Sequence, residues 1–414
     1  MNLVVICPHF APDVAPTGDV ITSITIELAA RGHQLHVVTS LPWYRHHRIE
    51  PGWGGRVLRE QVTDWGRITR VHPFPTDKRN IPARALAFGG FTAASGLVAA
   101  ASRTRPDAVL AMSPPLTLGL AGWMTARLRG APFVFNIQDV FPDVAVELGV
   151  ITNPSLIRVA TALERFIYLR SGAVTVLSDD LRENVAAKLH GHRPDRVRVI
   201  PNFVDTERIK PAPRENRYRA EFGLTGKTVV MYAGNVGFSQ SLDLVLEAAA
   251  ALSHDPDLVF VINGGGSARA DLERKASLAP NVRFVDMQPK DRLPEVLAAA
   301  DIHVVPLRRG LARSSVPSKM YSILAAGRPI VASVDPGTEV AAVVERAGAG
   351  IAVAPDDPEA FTKAIARLVA EPDEIERMGR AGRAFVERWA SPAAVAAQYE
   401  ELFVELRQPR HPVR

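Results

Sequence analysis

Residues 313–333 read RSSVPSKMYSILAAGRPIVAS, a basic, hydroxyl-rich loop followed by a helix and a short apolar strand. Pro317 favours the start of the helix, because proline at the first helical position loses no needed donor and already has a helical φ. Gly327 and Pro329 end the helix, and residues 330–332 have the apolar character of a buried strand. Taken alone, the segment is also typical of an ordinary capped helix in an α/β protein.

The start of this helix is a candidate anion site. Backbone N–H groups without helical partners and the positive end of the helix dipole favour negative charge at such a position. Four polar side chains surround it: Arg313, Ser314, Ser318 and Lys319. We therefore predict that an anion binds where the chain enters the helix.

The alternation of strands and helices around this segment predicts an α/β protein of two domains, each with a mainly parallel sheet covered on both faces. The predicted strands are 3–6, 35–39, 68–72, 108–112, 133–137, 173–177 and 197–201, then 228–232, 259–262, 282–285, 302–305 and 330–332. A polar, proline-rich passage at 201–214 predicts the hinge. The domain bounds are then 1–205 and 206–390, with a terminal helix within 391–414 that is expected to pack back on the first domain.

Composition excludes several classes of protein. The chain has 414 residues, of which 47% are hydrophobic and 22% charged, as is typical of a soluble globular enzyme. Its single cysteine, Cys7, excludes an intrachain disulfide and a cysteine metal site, and lies in an apolar segment that predicts a buried strand thiol. The first residues lack the features of a signal peptide. We predict a cytoplasmic protein.

Familiar nucleotide-binding fingerprints are absent. Gly18 follows the first strand without the other glycines of a dinucleotide motif, and the run Gly264-Gly-Gly-Ser-Ala-Arg269 lacks a glycine or alanine at the last motif position. No P-loop is present. An NAD enzyme and a P-loop ATPase are therefore disfavoured.

A second candidate loop follows the first strand of the second domain, at residues 232–242. By the switch-point rule for parallel sheets, it lies at the carboxyl edge of the sheet and faces the cleft. Gly234 and Gly237 would let the backbone approach a phosphate, and Asn235 and Gln240 would donate amide hydrogen bonds. An ordinary strand-to-helix turn is the alternative.

Five motifs, in this order, resemble those of retaining family-4 glycosyltransferases of the GT-B fold. They are the glycine turn at 234–237, the strand at 282–285, the segments at 293–295 and 300–302, the helix start at 315–319 with 325–329, and Pro336-Gly-Thr-Glu339. In the first domain, Ile137-Gln-Asp-Val-Phe-Pro-Asp143 resembles the signature of a branch that includes bacterial fucosaminyltransferase-like envelope enzymes.

The resemblance implies two Rossmann-like domains with parallel sheets facing across a cleft, and transfer of a hexosyl or N-acetylaminosugar group from a nucleoside diphosphate sugar with retained configuration. The second domain would hold the donor. The first would hold a cell-envelope or exopolysaccharide acceptor, either polyprenyl-linked or a polysaccharide. Neither a cofactor nor a metal ion is expected.

Site residues carried over from the resemblance show clear departures from the family. Asn235 and Gln240 stand where many relatives have an arginine and a lysine on the diphosphate, and Ser314 and Ser322 stand where they have two glutamates. Gln138 replaces a frequent histidine, which leaves Asp139 as the nearest titratable group. The predicted catalytic residues are Asp139 and Ser314, and the predicted donor-binding residues are Gly18, Gly234, Asn235, Gly237, Gln240, Arg313, Ser318, Lys319 and Ser322.

Two other functions fit part of the pattern. A nucleotide-sugar epimerase can use the same two-domain fold, but needs facing acids and bases where the predicted loops offer mainly neutral groups. A sugar-nucleotide-binding protein without turnover would explain the missing glutamate pair.

Charge placement in the first domain predicts contact with an anionic membrane at the inner face of the cell membrane. Residues 45–105 contain eleven Arg or Lys and four Asp or Glu, a local charge of +7, with tryptophans between them. A solvated loop face is the alternative. Residues 85–102 carry no charge, but glycines and alanines dilute their hydrophobicity, so a helix of the first domain is favoured over a membrane span. No nucleic-acid-binding module is recognisable.

Two carboxylate groupings are weaker metal candidates. Asp255 and Asp257 precede a strand in a turn, at the amino edge and away from the predicted cleft. His9 and Asp13 offer two ligands, which is too few for a site.

Overall fold

The computed structural model describes residues 1–74, 81–147, 151–276, 279–310 and 319–408. The chain divides into two compact units. The first contains Met1–Asn202 and Val395–Arg414, and the second contains Phe203–Ala394.

The first unit is built on an eight-stranded sheet with the order β3-β4-β2-β1-β5-β6-β7-β8. Its strands are β1 (Asn2–Ile6), β2 (Gln34–Ser40), β3 (Leu58–Thr63), β4 (Gly66–Val71), β5 (Ala108–Ser113), β6 (Phe133–Ile137), β7 (Ala173–Val176) and β8 (Val197–Val199). Its helices are α1 (Pro16–Ala30), α2 (Ile81–Ala100), α3 (Leu118–Arg129), α4 (Asp143–Glu147), α5 (Pro154–Arg170) and α6 (Asp179–Lys188). Neighbouring strands pair in parallel, except that β3 and β4 are antiparallel.

The second unit contains a six-stranded, fully parallel sheet with the order β11-β10-β9-β12-β13-β14. Its strands are β9 (Thr228–Ala233), β10 (Leu258–Asn263), β11 (Val282–Val285), β12 (Ile302–Pro306), β13 (Ile330–Ser333) and β14 (Gly350–Val353). Its helices are α7 (Arg217–Glu221), α8 (Asp243–Ala251), α9 (Arg269–Lys275), α10 (Leu293–Ala299), α11 (Lys319–Ala325), α12 (Glu339–Ala347), α13 (Pro358–Ala370) and α14 (Pro372–Trp389).

Central strands of both sheets are buried on both faces, which explains why they read as continuous apolar runs rather than alternating ones. Every residue of β5 and of β10 is buried. Helices cover the sheets through apolar stripes, as in α13, where Phe361, Ile365 and Leu368 face the core. The predicted fold class, two α/β units with parallel sheets, is confirmed.

Most of the last helix, α15 (Pro392–Arg407), belongs to the first unit. Its Tyr399 hydroxyl is buried and accepts a hydrogen bond from the Asn136 amide nitrogen (2.8 Å) and lies 3.1 Å from the Thr175 hydroxyl oxygen. The Gln138 amide in turn donates to the Asn136 side-chain oxygen at 2.8 Å. This network joins α15 to the carboxyl ends of β6 and β7.

Two strands were not predicted from the sequence. β3 reads LREQVT and is largely exposed, so it lacks the apolar run of the buried strands. β14 has only four residues, all half-buried. Both strands lie at the edge of their sheet, where fewer residues are buried. Their sequences therefore show the weakest apolar pattern.

The uncharged stretch at residues 85–102 lies mostly in α2, which packs on α3. Phe91, Ser95 and Ala99 are buried on one side of the helix, while Leu86 and Leu97 are exposed on the other. Among the described residues, no helix is long and apolar enough to cross a membrane. Cys7 is buried as predicted, and burial raises the pKa of its thiol to about 12.

Candidate functional site

The candidate site lies at the carboxyl edge of the second sheet. Strand β9 pairs with β10 on one side and with β12 on the other, so the strand order reverses between β9 and β12. Loops that leave the two strands on either side of such a reversal diverge, which opens a crevice where ligands bind in α/β proteins. Here the loops are 234–242 and the segment after Pro306.

The loop after β9 is fixed by backbone contacts with the glycine loop after β10. The Val236 N–H donates to the Gly265 carbonyl (2.9 Å), and the Ala268 N–H donates to the Val236 carbonyl (3.0 Å). A methyl group built on Gly264 would lie 1.8 Å from the Gly234 carbonyl oxygen. The two loops therefore approach so closely that only glycine fits at position 264.

Lys319 and Gly234 lie close together at this edge of the sheet. A methyl group built on Gly234 would lie 3.6 Å from Lys319 Nζ. The same Nζ lies 4.1 Å from the centroid of the Tyr232 ring, a cation–π contact. The Tyr232 hydroxyl donates to the Asn235 carbonyl at 2.5 Å. One buried tyrosine thus supports both the cation and the glycine loop.

Lys319 is a cation in a poorly solvated position. Burial lowers the pKa of its ammonium group to about 8, because the charged form has lost water. An anion bound beside Nζ would stabilise the charged form.

The predicted amide donors differ in what their side chains do. Gln240 Oε1 accepts the Gly237 N–H at 3.1 Å, so this side chain closes the turn and offers a ligand only its NH₂ group. Asn235 is exposed and lies against Gly237, where an added methyl group would lie 2.9 Å from Asn235 Nδ2. Asn235 therefore remains the more accessible donor.

Other predicted donor-binding residues lie in or next to α11. Ser322 is half-buried, three residues after Lys319 and on the same side of the helix. Arg313, Ser314 and Ser318 lie outside the described residues, as does Pro317, so the predicted helix start there stays a prediction.

Two residues at this edge were missed. Phe238 is a loop aromatic with 68% of its surface exposed, and Arg308 is exposed with its backbone N–H donating to the Ser239 carbonyl at 3.1 Å. An aromatic residue beside Gly237, and an arginine just past the end of β12, were the available signals.

We expect Tyr232→Phe to lower the stability of the second unit by about 1 kcal/mol, because it removes the hydrogen bond to the Asn235 carbonyl while keeping the ring under Lys319. Scanning calorimetry should show its unfolding about 2–4 °C lower. Tyr232→Leu, which removes the ring as well, should cost more. An unchanged melting temperature for Tyr232→Phe would show that the hydroxyl does not hold the loop.

Two predicted residues lie in the first unit. Gly18 is buried in the first turn of α1, where a methyl group would lie 3.0 Å from His9 Cβ, so close packing explains this glycine; its role in donor binding stays a prediction. Asp139 follows β6 at the carboxyl edge of the first sheet, and the surrounding protein raises the pKa of its carboxyl by desolvation. Its predicted catalytic role also stays a prediction.

The weaker metal candidates have other partners. The Asp257 N–H donates to Asp255 Oδ1 at 2.9 Å in a turn before β10, and Asp257 also pairs with Lys227. This is the amino edge of the sheet, as predicted. Within the part of the chain that the structure describes, no group of three or more metal-ligating side chains is found.

Comparisons with known proteins give a family for each unit. Residues 17–202 match the family described as "Glycosyl transferase 4-like domain", and residues 227–371 match "Glycosyl transferases group 1". The chain is 28% identical over 412 residues to WcaI of Escherichia coli (strain K12), named as a colanic acid biosynthesis glycosyl transferase, with 96% of this chain and 98% of that protein covered. It is 29% identical over 277 residues to WbjE of Pseudomonas aeruginosa, named as a glycosyltransferase, with 66% and 67% covered.

Solved structures show the same fold. Anabaena Alr3699/HepE in complex with UDP aligns with a TM-score of 0.65 at 14% identity, over 98% of this chain and all (100%) of that one. Sucrose-phosphate synthase from Thermosynechococcus elongatus aligns with a TM-score of 0.65 at 19% identity, over 98% and 99%. The chain is therefore a glycosyltransferase of the GT-B type, in which a glycosyl transferase 4-like domain precedes a domain of the glycosyl transferases group 1 family.

Proposed function

We propose that this chain transfers a hexosyl or N-acetylaminosugar group from a nucleoside diphosphate sugar to a cell-envelope or exopolysaccharide acceptor, with retention of configuration. The observation that carries the donor part is the position of the Lys319 ammonium beside Gly234 at the switch point of the second sheet. A poorly solvated cation next to open backbone is suited to a diphosphate.

Electrostatics at this site would provide most of the catalysis. As the bond to the sugar breaks, negative charge grows on the leaving diphosphate, and a fixed cation and fixed N–H donors stabilise that charge without reorganising. Lys319 would act on the diphosphate, and Asn235 and Gln240 would add neutral donors. In the proposed same-face attack, the leaving phosphate takes the proton of the acceptor hydroxyl, so no separate base is needed. Asp139 would orient the acceptor, and Ser314 would bond the donor sugar.

The envelope acceptor is supported by the relative named for colanic acid biosynthesis, which the chain matches over nearly its full length. A polyprenyl-linked saccharide or a growing polysaccharide would present a hydroxyl to the first unit. No cofactor or metal ion is proposed.

The test is a thermal-shift screen of UDP-, GDP-, ADP- and dTDP-sugars, followed by detection of the released nucleoside diphosphate by mass spectrometry. A binding donor raises the melting temperature by mass action. We expect one nucleotide class to stabilise the protein and to be slowly hydrolysed without acceptor. Stabilisation without transfer or hydrolysis would favour a binding protein, and conversion into an epimeric donor would favour an epimerase.

Donor binding should weaken at alkaline pH. Below about pH 8 the Lys319 ammonium is charged in the free protein, so a diphosphate binds without proton uptake. Above it the free side chain is neutral, and binding the diphosphate requires a proton, so Kd should rise by up to about tenfold per pH unit. Calorimetric titrations across this range measure the effect. Lys319→Arg, which stays charged, should give a flat profile, and an equally steep profile in that variant would contradict the assignment.

We also propose that the first unit contacts an anionic membrane surface through the edge strand β3 and the loop before it. Val57, Leu58 and Val62 are exposed there, and Arg56 is exposed beside them. Exposed apolar side chains beside an exposed arginine suit anionic headgroups.

Sedimentation with phosphatidylglycerol vesicles should therefore carry the protein into the pellet at low salt and release it at high salt. Arg56→Ala should lower partitioning by about fivefold, since one basic residue contributes about 1 kcal/mol. Vesicles of phosphatidylcholine alone serve as the control. Absence from the pellet at every salt concentration would end this proposal.

A further inference from the structure

The first unit holds a cluster of polar and aromatic side chains that the donor site does not use. It consists of His9, Asp13, Trp43, Tyr44 and His47, and we name it the His9 cluster. His9 Nδ1 lies 2.7 Å from Asp13 Oδ2. The Asp13 side chain is 1% exposed, and its other oxygen accepts the Tyr44 backbone N–H at 3.0 Å. Asp13 is thus a buried carboxylate with both oxygens bonded, and it fixes the His9 ring to the start of the 44–47 loop.

Two aromatic rings, those of Trp43 and Tyr44, pack against His9, and the ring of His47 packs against both of them. The His9 ring centroid is 5.7 Å from that of Trp43 and 5.1 Å from that of Tyr44, and His47 lies within 6.3 Å of both. Trp43 is half-buried, and Tyr44 and His47 are exposed. The cluster therefore presents aromatic surface to solvent beside a histidine whose side chain keeps 11% exposure.

A buried arginine holds the loop that carries His9. Arg70 is 1% exposed and donates to the carbonyls of Phe10 (3.4 Å), Ala11 and Ser40 (3.3 Å). The Ser40 hydroxyl also donates to the Pro8 carbonyl at 2.6 Å. Tight packing of Gly18 against His9 Cβ completes the support. These contacts hold the loop in one conformation, which favours a preorganised binding site.

The position of the cluster in the sheet points to a ligand. Strand β1 pairs with β2 on one side and β5 on the other, so the strand order of the first sheet also reverses at β1. His9 and Asp13 follow the carboxyl end of that strand. This is where α/β sheets bind ligands.

We propose that the His9 cluster binds a pyranose ring, and that this ring is the acceptor sugar of the proposed transferase; the second half of this statement rests on the proposed function. With Nδ1 directed at Asp13, Nε2 is the nitrogen left to accept a hydrogen bond from a sugar hydroxyl. The Trp43 and Tyr44 rings offer apolar surface to the C–H face of the ring. Small-molecule sites in proteins are typically lined by aromatic side chains with a few polar groups among them.

Saturation-transfer NMR on the full chain tests the site directly, with methyl glucoside, methyl galactoside and methyl fucoside as the probes. We expect the ring protons of at least one glycoside to receive saturation from the wild-type protein. His9→Leu should reduce its affinity by about fivefold to tenfold, the cost of one hydrogen bond. Trp43→Ala should abolish the signal, while Trp43→Phe should retain it. His192→Leu, at an exposed histidine elsewhere in the first unit, is the matched control and should change nothing.

Nucleotide-sugar binding and hydrolysis measured on the same samples separate this inference from the proposed function. If the glycoside signal depends on His9 and Trp43 but the protein binds no nucleotide sugar, the result would support the pyranose site and contradict the proposed transferase function. Two results would overturn the pyranose site, provided that the variants are folded and bind the donor normally. One is the absence of a glycoside signal in the wild type, and the other is an undiminished signal in His9→Leu and Trp43→Ala. If no glycoside signal is seen and Trp43→Ala abolishes vesicle binding, the His9 cluster would be a membrane contact. That result would also overturn the pyranose site.

Discussion

Lys319→Ala should weaken nucleoside diphosphate binding by about tenfold to a hundredfold, the range expected for losing one charge-assisted hydrogen-bonding partner. The physical reason is the position of the ammonium group, over the Tyr232 ring and next to Gly234 at the switch point of the second sheet. Isothermal titration with the nucleotide that the donor screen identifies gives the change in Kd.

Lys227→Ala is the matched control for that experiment. Lys227 belongs to the same unit but pairs with Asp257 at the opposite, amino edge of the sheet, so its loss should change Kd by less than about twofold. Lys319→Arg keeps the charge and should recover part of the affinity. Equal affinities for wild type and Lys319→Ala would place the diphosphate elsewhere.

Gly264→Ala should have the largest effect on the architecture of the site. Its new methyl group would lie 1.8 Å from the Gly234 carbonyl oxygen, a backbone atom that cannot rotate away. The two loops must then separate, which breaks backbone bonds such as Val236 to Gly265. We expect a loss of roughly 2–4 kcal/mol in the free energy of unfolding and loss of donor binding in the fraction that remains folded.

Gly265→Ala is the control for this change, because a methyl group at Gly265 meets nothing within 4 Å. It should leave both the melting temperature and donor affinity close to those of the wild type. Calorimetry of the two variants side by side separates crowding at position 264 from a general intolerance of the glycine loop. Equal destabilisation by both variants would mean that the close approach of the two loops is not the cause.

The alternation of apolar strands and helices was sufficient to predict the fold, because central parallel strands are buried on both faces and leave an unbroken apolar pattern. β10, with every residue buried, is an example. β3 is the counterexample. Its residues LREQVT pair with β4 at the edge of the sheet and are largely exposed, so neither their composition nor their periodicity indicated a strand.

The sequence was sufficient to predict the position of the loop after β9 in the sheet, but not the direction of its side chains. The switch-point rule placed the loop with Gly234 at the carboxyl edge of the sheet, where Lys319 also lies. It could not show that Gln240 bonds the Gly237 N–H, because side-chain direction depends on the turn that the loop adopts. It also gave no weight to Tyr232, which reads in sequence as one more buried strand residue.

Departures from the family pattern also acquire a physical meaning. With neutral Asn235 and Gln240 where many relatives carry cations, a larger share of the charge of the proposed diphosphate would fall on Arg313 and Lys319. Arg308, exposed past the end of β12, is a second cation at the same edge. A histidine bonded to a buried aspartate, at His9, then gives the first unit a polar group at the reversal point of its own sheet.

The most direct test is a crystal structure of the chain with the nucleoside diphosphate that the screen selects. We predict that the diphosphate lies within hydrogen-bonding distance of Lys319 Nζ and of the backbone at Gly234. A diphosphate bound with no contact to either residue, for example at the amino edge beside Lys227, would contradict the proposed donor site.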